Sequence, residues 1–234
     1  ALFPLAKHKR KIRKYREEGD FEKERAEILK AENEWGMSAC QMIGLDLRVT
    51  GLENVPDGPV VFVANHQGYC DIVAFAAAMP DKPVGFIAKE SLGKIPFYGR
   101  WILEVRSVYL PKDDPRGALR TIETGISYLK DGFSMVIFPE GRRSFGPEMG
   151  EFKRGSLRLA TKPGVPVVPV TIDGSYLAYE KEGRLRPARV DFHIHPAIET
   201  RDMSRQEAAD LAGVAEEIVR KKLLEIQAEK KRPE

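Results

Sequence analysis

The sequence predicts an α/β fold: a single mixed, mostly parallel sheet flanked by helices, preceded by an N-terminal helical appendage. Three observations carry that expectation. Unbroken apolar runs such as 60–64 and 135–138 have the length of strands covered on both faces. Segments of helical periodicity separate them. No apolar stretch reaches the roughly 18 residues needed to span a bilayer. The 234 residues, 42% hydrophobic and 31% charged, suit one globular body that needs no disulfide or metal staple. Neither an internal repeat nor a linker is evident. The division expected is a basic helical segment over 1–44 and one α/β domain over 45–234.

Taken in order, Leu45, Leu47 and Val49 alternate, and Gly51 with Pro56-Asp57-Gly58-Pro59 turns the chain. Residues 60–64 read as a buried strand and 72–79 as a buried helix stopped at Pro80. Short strands follow at 84–88 and 107–110, with a helical hint over 93–104 between them. Residues 115–130 are a helix ended by Asp131-Gly132. A strand at 135–138, a short helix at 155–162 and strands at 165–172 and 189–195 complete the alternation. Ser204 and Glu207 have capping-box spacing and open a last helix carrying Leu211, Val214, Ile218 and Ile226.

Charge is more informative in its placement than in its sum. The 38 Lys+Arg against 35 Asp+Glu leave +3, too near neutral for a nucleic-acid binder. Yet Lys7, Lys9, Arg10, Lys11, Arg13, Lys14 and Arg16 put seven cations in the first sixteen residues, with no acid among them. Leu2, Phe3 and Leu5 precede the run. An apolar tip followed by a basic block suits an anionic bilayer, at about 1 kcal/mol per cation near the surface. A solvated, poorly ordered terminus or a nucleic-acid contact is the competing reading. Downstream, Ile28, Leu29, Trp35, Met42 and Ile43, with Glu32 and Ala39 between them, form a helical stripe. Such a stripe serves either the protein's own core or a membrane-resting helix. Cys40 and Cys70 are too few for a disulfide framework, so a reducing compartment and no signal peptide are expected.

In open α/β sheets the active site lies beyond the C-terminal ends of the strands. That rule selects the segments after Ala64 and after Phe138. The first is Asn65-His66-Gln67-Gly68-Tyr69-Cys70-Asp71. One turn can bring the Asp71 carboxylate to the His66 imidazole, fixing its tautomer so that the other ring nitrogen accepts a proton. A turn histidine beside a helix-capping aspartate is the plainer alternative. The second segment, Pro139-Glu140-Gly141-Arg142-Arg143-Ser144, joins one acid to two arginines, and Lys153 and Arg154 follow before Gly155. Arginine's planar fork suits phosphate, and a helix starting at Gly155 would offer backbone N–H groups to an anion; surface ion pairing is the alternative.

Other chemistries fit less well. Cys70 reads as a small buried side chain rather than a thiol nucleophile. No G-x-S-x-G and no P-loop occurs. Asp191, His193 and His195 share one face of a strand, where two histidines could bind zinc, but a solvated sheet face is expected and no metal site.

Together the two strand-end segments resemble the glycerolipid acyltransferase family, and within it the bacterial 1-acyl-sn-glycerol-3-phosphate (lysophosphatidic acid) acyltransferases. Its N-H-x-x-x-x-D motif is matched by Asn65, His66 and Asp71. Its F-P-E-G-x-R-S motif is matched by Phe138, Pro139, Glu140, Gly141, Arg143 and Ser144. A V-P-V-V-P-V-type strand is matched at 165–170 and includes Pro169. A looser block matches Lys94-Ile95-Pro96-Phe97-Tyr98-Gly99, and the arginine expected near its end aligns with Lys112, a cation without the bidentate fork. The resemblance spans roughly 45–200.

It implies an acyltransferase domain over 45–234 that moves an acyl group from acyl-CoA or acyl carrier protein to the 2-hydroxyl of lysophosphatidic acid, giving phosphatidic acid. Glycerol 3-phosphate and other lysophospholipids are the alternative acceptors, and a non-catalytic membrane scaffold the alternative role. It further implies His66 as general base oriented by Asp71. Glu140, Gly141, Arg143 and Lys112 would hold the phosphate-bearing glycerol, with Asn65, Pro139, Ser144 and Pro169 in support. No cofactor is expected. With such a substrate, the seven cations become the expected contact with an anionic membrane, at its cytoplasmic face, peripherally or monotopically.

Overall fold

The computed structural model describes residues 5–96 and 98–231. Seven strands form the sheet: β1 (Leu45–Thr50), β2 (Val61–Ala64), β3 (Val84–Lys89), β4 (Val108–Leu110), β5 (Ser134–Ile137), β6 (Val167–Asp173) and β7 (Ala188–Ile194). Their order is β1-β7-β6-β2-β5-β3-β4. Among the described residues every neighbouring pair is parallel except β6–β7. The helices are α1 (Leu5–Glu17), α2 (Phe21–Ile43), α3 (Cys70–Ala78), α4 (Tyr98–Glu104), α5 (Pro115–Lys130), α6 (Arg158–Thr161) and α7 (Arg205–Lys230).

Period-two alternation in the central strands feeds two cores. Val61 and Val63 join Met135, Ile137 and Val167 beneath α5, α6 and α7, where Leu129, Leu159 and Val219 are fully covered. Phe62 and Ala64 point the other way and meet Phe75 and Ala78 of α3. Each large side chain so buried contributes roughly 1.5–3 kcal/mol. Outside α3 lies α2, crossing it so closely that a Cβ on Gly36 would stand 2.7 Å from the Ala76 backbone carbon.

The expected elements recur, with local differences. The short helix contracts to Arg158–Thr161, because Gly155 sits at φ +77° in a turn that precedes it. In α7 the capping box forms, but the covered face is Leu211, Ala215, Val219, Leu223 and Ile226, and Val214 points to solvent. The sheet face of Asp191, His193 and His195 is only partly solvated: Asp191 and His193 are half-buried and His195 is buried. Lys230 of α7 reaches Asp191 at 2.6 Å, and His195, buried, meets Thr171 Oγ1 at 2.9 Å. Burial, with His193 beside it, lowers the His195 pKa to about 4.

The N-terminal helices are packed into the body. Ile12 and Ile28 meet Val105 and Phe133 in a small core of their own. The cations of α1 find acids supplied by distant elements. Lys7 pairs with Glu34 at 2.7 Å, Lys11 with Glu27 at 3.6 Å, and Lys9 with Glu104 at 3.6 Å. Arg13 also binds Glu104, and Arg16 binds Glu24 at 2.8 Å. Arg10 has no ion pair among the described residues. Leu2 and Phe3, the apolar tip read in the sequence, lie outside those residues.

The α2 stripe turns inward through Ile28, Ala31, Glu32 and Ala39, whereas Met42 stands 66% exposed. Glu32 is an unusual core residue. Its Oε2 accepts the Val84 N–H at 3.0 Å while Oε1 has no partner, and burial holds the carboxyl well above the ordinary value of 4.5. The folded state therefore holds a proton that the unfolded state releases above pH 4.5, and stability falls as pH rises through that window. Glu32→Gln is expected to match the wild type near pH 4.5 and to exceed it as pH rises above that value. The gain is bounded by about 1.4 kcal/mol per pH unit. Urea melts at several pH values check this, and a pH-independent difference would contradict it.

Candidate active site

The sheet reverses its direction of growth at β2: β3 lies beyond β5 on one side, and β6 adds on the other. The C-terminal ends of β2, β5 and β6 therefore open a crevice at a topological switch point, the usual place for a site. His66 stands at this crevice. Its Nδ1 is 2.7 Å from Asp71 Oδ2, and its ring stacks on Phe138 at 4.0 Å and 16°. The side chain keeps 18% exposure, whereas Asp71 is fully buried.

Asp71 accepts and does not donate. Oδ2 also takes the N–H groups of Gln67 at 2.7 Å and Gly68 at 2.9 Å, and Oδ1 takes the Ser175 hydroxyl. With every neighbour a donor, the carboxylate fixes the His66 proton on Nδ1 and leaves Nε2 with a free lone pair.

The two motifs are sewn together by backbone bonds. Ser144 N–H donates to the His66 carbonyl at 2.8 Å, and Phe145 N–H donates to the Gln67 carbonyl at 3.2 Å. Glu140 closes the seam: Oε1 accepts the His66 N–H and Oε2 the Gly150 N–H, each at 2.7 Å. Both of its oxygens are therefore spent on backbone, and burial raises its pKa. In the structure Glu140, expected to hold the glycerol, shapes the turn between the two motifs. Gly141 is at φ +69°, and a Cβ there would stand 2.6 Å from Lys153 Nζ, so a glycine lets that ammonium lie over the turn. Pro139 lends its carbonyl to the Lys153 N–H at 3.2 Å.

Arg143 is held flat. Its Cζ lies 3.7 Å over the Tyr69 ring and 4.7 Å from the Phe145 centroid, and Nη1 donates to Glu180 at 2.8 Å. Lys112 is elsewhere. It follows β4, which β3 and β5 separate from β2, about 14 Å away at ordinary strand spacing. Its side chain is 90% exposed and pairs with Asp113 at 3.8 Å, so the structure does not bring it to the His66 crevice.

Asn65 acts as a piece of strand. Its carboxamide exchanges two 2.8 Å bonds with the Ile172 backbone, tying the end of β2 to β6. Pro169 lies within β6 opposite Val63, and its carbonyl takes the N–H of His195, one residue beyond β7. The absent N–H thus falls where the ladder has ended.

Cys70 is buried in α3, and burial, with Glu180 and Asp71 nearby, pushes its thiol up to about 12. It is therefore a thiol, not a thiolate, at neutral pH. No cluster of three or more potential metal ligands occurs among the described residues.

Four contributors escaped the sequence reading: Gln67, Asp173, Ser175 and Glu180. Gln67 Oε1 accepts the Gly174 N–H at 2.9 Å, and its amide reaches Asp173, which Lys230 of α7 also holds at 2.6 Å. The signal was available, because Asp173-Gly174-Ser175 leaves the C-terminal end of a buried strand just as the two chosen segments do.

A chain with this sheet order and this pair of interlocked strand-end turns falls among the acyltransferases of α/β fold. The Acyltransferase family profile matches residues 46–173, and the chain belongs to that family. It is 37% identical over 166 residues to a 1-acyl-sn-glycerol-3-phosphate acyltransferase of Chlamydomonas reinhardtii, covering 68% of this chain and 49% of that one. The enzyme of the same name from Borreliella burgdorferi is 30% identical over 194 residues, covering 80% of this chain and 77% of that one. The chain thus spans about half the length of the algal relative and most of the bacterial one. Among solved structures it resembles the 1-acyl-sn-glycerophosphate (LPA) acyltransferase PlsC from Thermotoga maritima. The TM-score is 0.77 at 35% identity, covering 91% of this chain and 84% of that one.

Proposed function

We propose that this protein transfers a fatty acyl group from an acyl thioester, carried by CoA or acyl carrier protein, to the 2-hydroxyl of lysophosphatidic acid, releasing phosphatidic acid for phospholipid synthesis. The observation that carries the reading is the His66–Asp71 pair at 2.7 Å, oriented from the buried side and open at Nε2. His66 Nε2 removes the hydroxyl proton as the acceptor oxygen attacks the thioester carbonyl carbon. The C–S bond then breaks, and the departing sulfur takes the proton from the imidazolium. Arg143 holds the acceptor phosphate, which supplies binding energy remote from the reacting atoms. Relatives named for this acceptor support the assignment.

The test is an assay of the purified protein with acyl-CoA or acyl carrier protein and a panel of lysophosphatidic acid, glycerol 3-phosphate and neutral lysophospholipids, reading products by mass spectrometry. Phosphatidic acid as the main product is expected. Preference for another acceptor would reassign the substrate, and no product with any acceptor would favour a membrane scaffold.

The enzyme works, in this reading, peripherally at the cytoplasmic face of an anionic membrane. No helix among the described residues is long and apolar enough to cross a bilayer. Lys7, Arg10, Lys11 and Lys14 recur at helical spacing and form one outward stripe on α1, while Ile12 turns inward. Around Arg143, Tyr69 and Phe145 are more than half exposed, the side-chain type that rests at a headgroup layer. Replacing the four stripe cations by glutamine is expected to weaken binding to anionic vesicles at least about tenfold at low salt. Unchanged cosedimentation would exclude α1 as the contact.

A further inference from the structure

Glu180 combines three features that simple packing does not require. Its side chain is 2% exposed, far inside for a carboxylate. Oε1 accepts two charge-relevant bonds, from the Tyr69 N–H and from Arg143 Nη1, both at 2.8 Å. Oε2 is buried with no partner. An unpaired buried carboxylate oxygen is a standing cost, and such local violations concentrate where a fold serves a site. Gly68 makes the arrangement possible, because any Cβ there would overlap the Glu180 carboxylate.

The consequence for Arg143 is geometric. Tyr69 lies under the guanidinium, Phe145 beside it, and Glu180 occupies Nη1. Among the described residues Nε and Nη2 have no hydrogen-bond partner, so one edge of the fork is clamped and the other is available. Resting on the proposed role of Arg143 as phosphate anchor, we infer that Glu180 is a positioning residue for the acceptor. It clamps one edge of Arg143 so that the free edge meets the lysophosphatidic acid phosphate already oriented. A fork fixed beforehand loses less entropy on binding than a free one. The same Oε1 holds the Tyr69 N–H, so a single carboxylate oxygen sets both the aromatic platform and the cation upon it.

The test is a double-mutant cycle read as acceptor KM, acceptor kcat and donor KM, with thermal melts reporting folding. Glu180→Ala is expected to raise the acceptor KM about tenfold while kcat and donor KM change less than about twofold. In an Arg143→Ala background the same change should add nothing to the acceptor KM. Glu180→Gln keeps an acceptor for Tyr69 and Arg143 and should raise it only about threefold, which keeps the test open if the alanine variant does not fold. An unchanged acceptor KM in Glu180→Ala and Glu180→Gln, with a raised one in Arg143→Ala, overturns this inference alone. A lowered acceptor KM also overturns it, because Glu180 would then compete with the phosphate. An unchanged acceptor KM in Arg143→Ala overturns the anchor reading itself.

Discussion

His66→Ala is expected to lower turnover about 10³-fold or more while leaving the fold intact. The separation follows from which bonds each part of the residue makes. The backbone N–H stays with Glu140 and the carbonyl with the Ser144 N–H, so the seam between the two motifs persists. Asp71 loses one donor of four and keeps Gln67, Gly68 and Ser175. The ring's stacking on Phe138 is the main packing loss. Asp71→Asn would be a less direct probe, because its amide oxygen can keep the Gln67 and Gly68 donors while its N–H turns to the Ser175 hydroxyl, so only the charge beside His66 is lost. Initial rates and thermal melts on the same purified variant check the expectation. Retained turnover would remove His66 as the base.

Arg106→Ala is expected to cost about 3 kcal/mol of stability, the low end of the range for removing one member of a buried ion pair, because Arg16 still binds Glu24. Arg106 and Glu24 form a bidentate pair at 2.8 and 2.6 Å, with Glu24 fully covered. The guanidinium also lies 4.7 Å from the Phe133 ring and 4.8 Å from that of Tyr128. Removing it leaves the Glu24 carboxylate with Arg16 alone, at the junction between α1–α2 and the sheet. For a chain of this length the loss corresponds to a fall in Tm of roughly 10 °C. Glu24→Leu with Arg106→Met should recover most of it, since an apolar pair of similar volume strands no charge. A single variant no less stable than the double one would show that the lone Glu24 carboxylate is not stranded.

How much of this was legible beforehand depends on sequence distance. Strand β2, helix α5 and the capping box of α7 follow from local signals: an apolar run, periodicity with a Pro at the first turn, and Ser204 with Glu207. The His66–Asp71 contact was legible for the same reason, being five residues long at a strand end. What stayed hidden was supplied from afar. Ser175, which completes the shell of Asp71, lies 104 positions away, and Glu180 lies 37 from Arg143. The basic run looked unopposed because Glu104, 91 residues from Arg13, is brought to it only by the fold. Helical periodicity showed that α2 has an inner face but could not show what it meets, and α3 meets it. Lys112 keeps the charge of an expected arginine and stands at the end of β4, three strands from β2, a separation that the sequence does not show.

In the proposed reaction His66 activates the acceptor hydroxyl for direct attack on the thioester, with no acyl group resting on the protein. Burial leaves Cys70, the neighbouring thiol, protonated and hence unsuited to carry one. Intact-mass spectrometry of the enzyme mixed with stoichiometric acyl thioester, first without and then with lysophosphatidic acid, tests this most directly. Unmodified protein is expected in both samples, and phosphatidic acid only in the second. A stoichiometric acyl adduct on Cys70 or His66, formed without acceptor and discharged when acceptor is added, would contradict it.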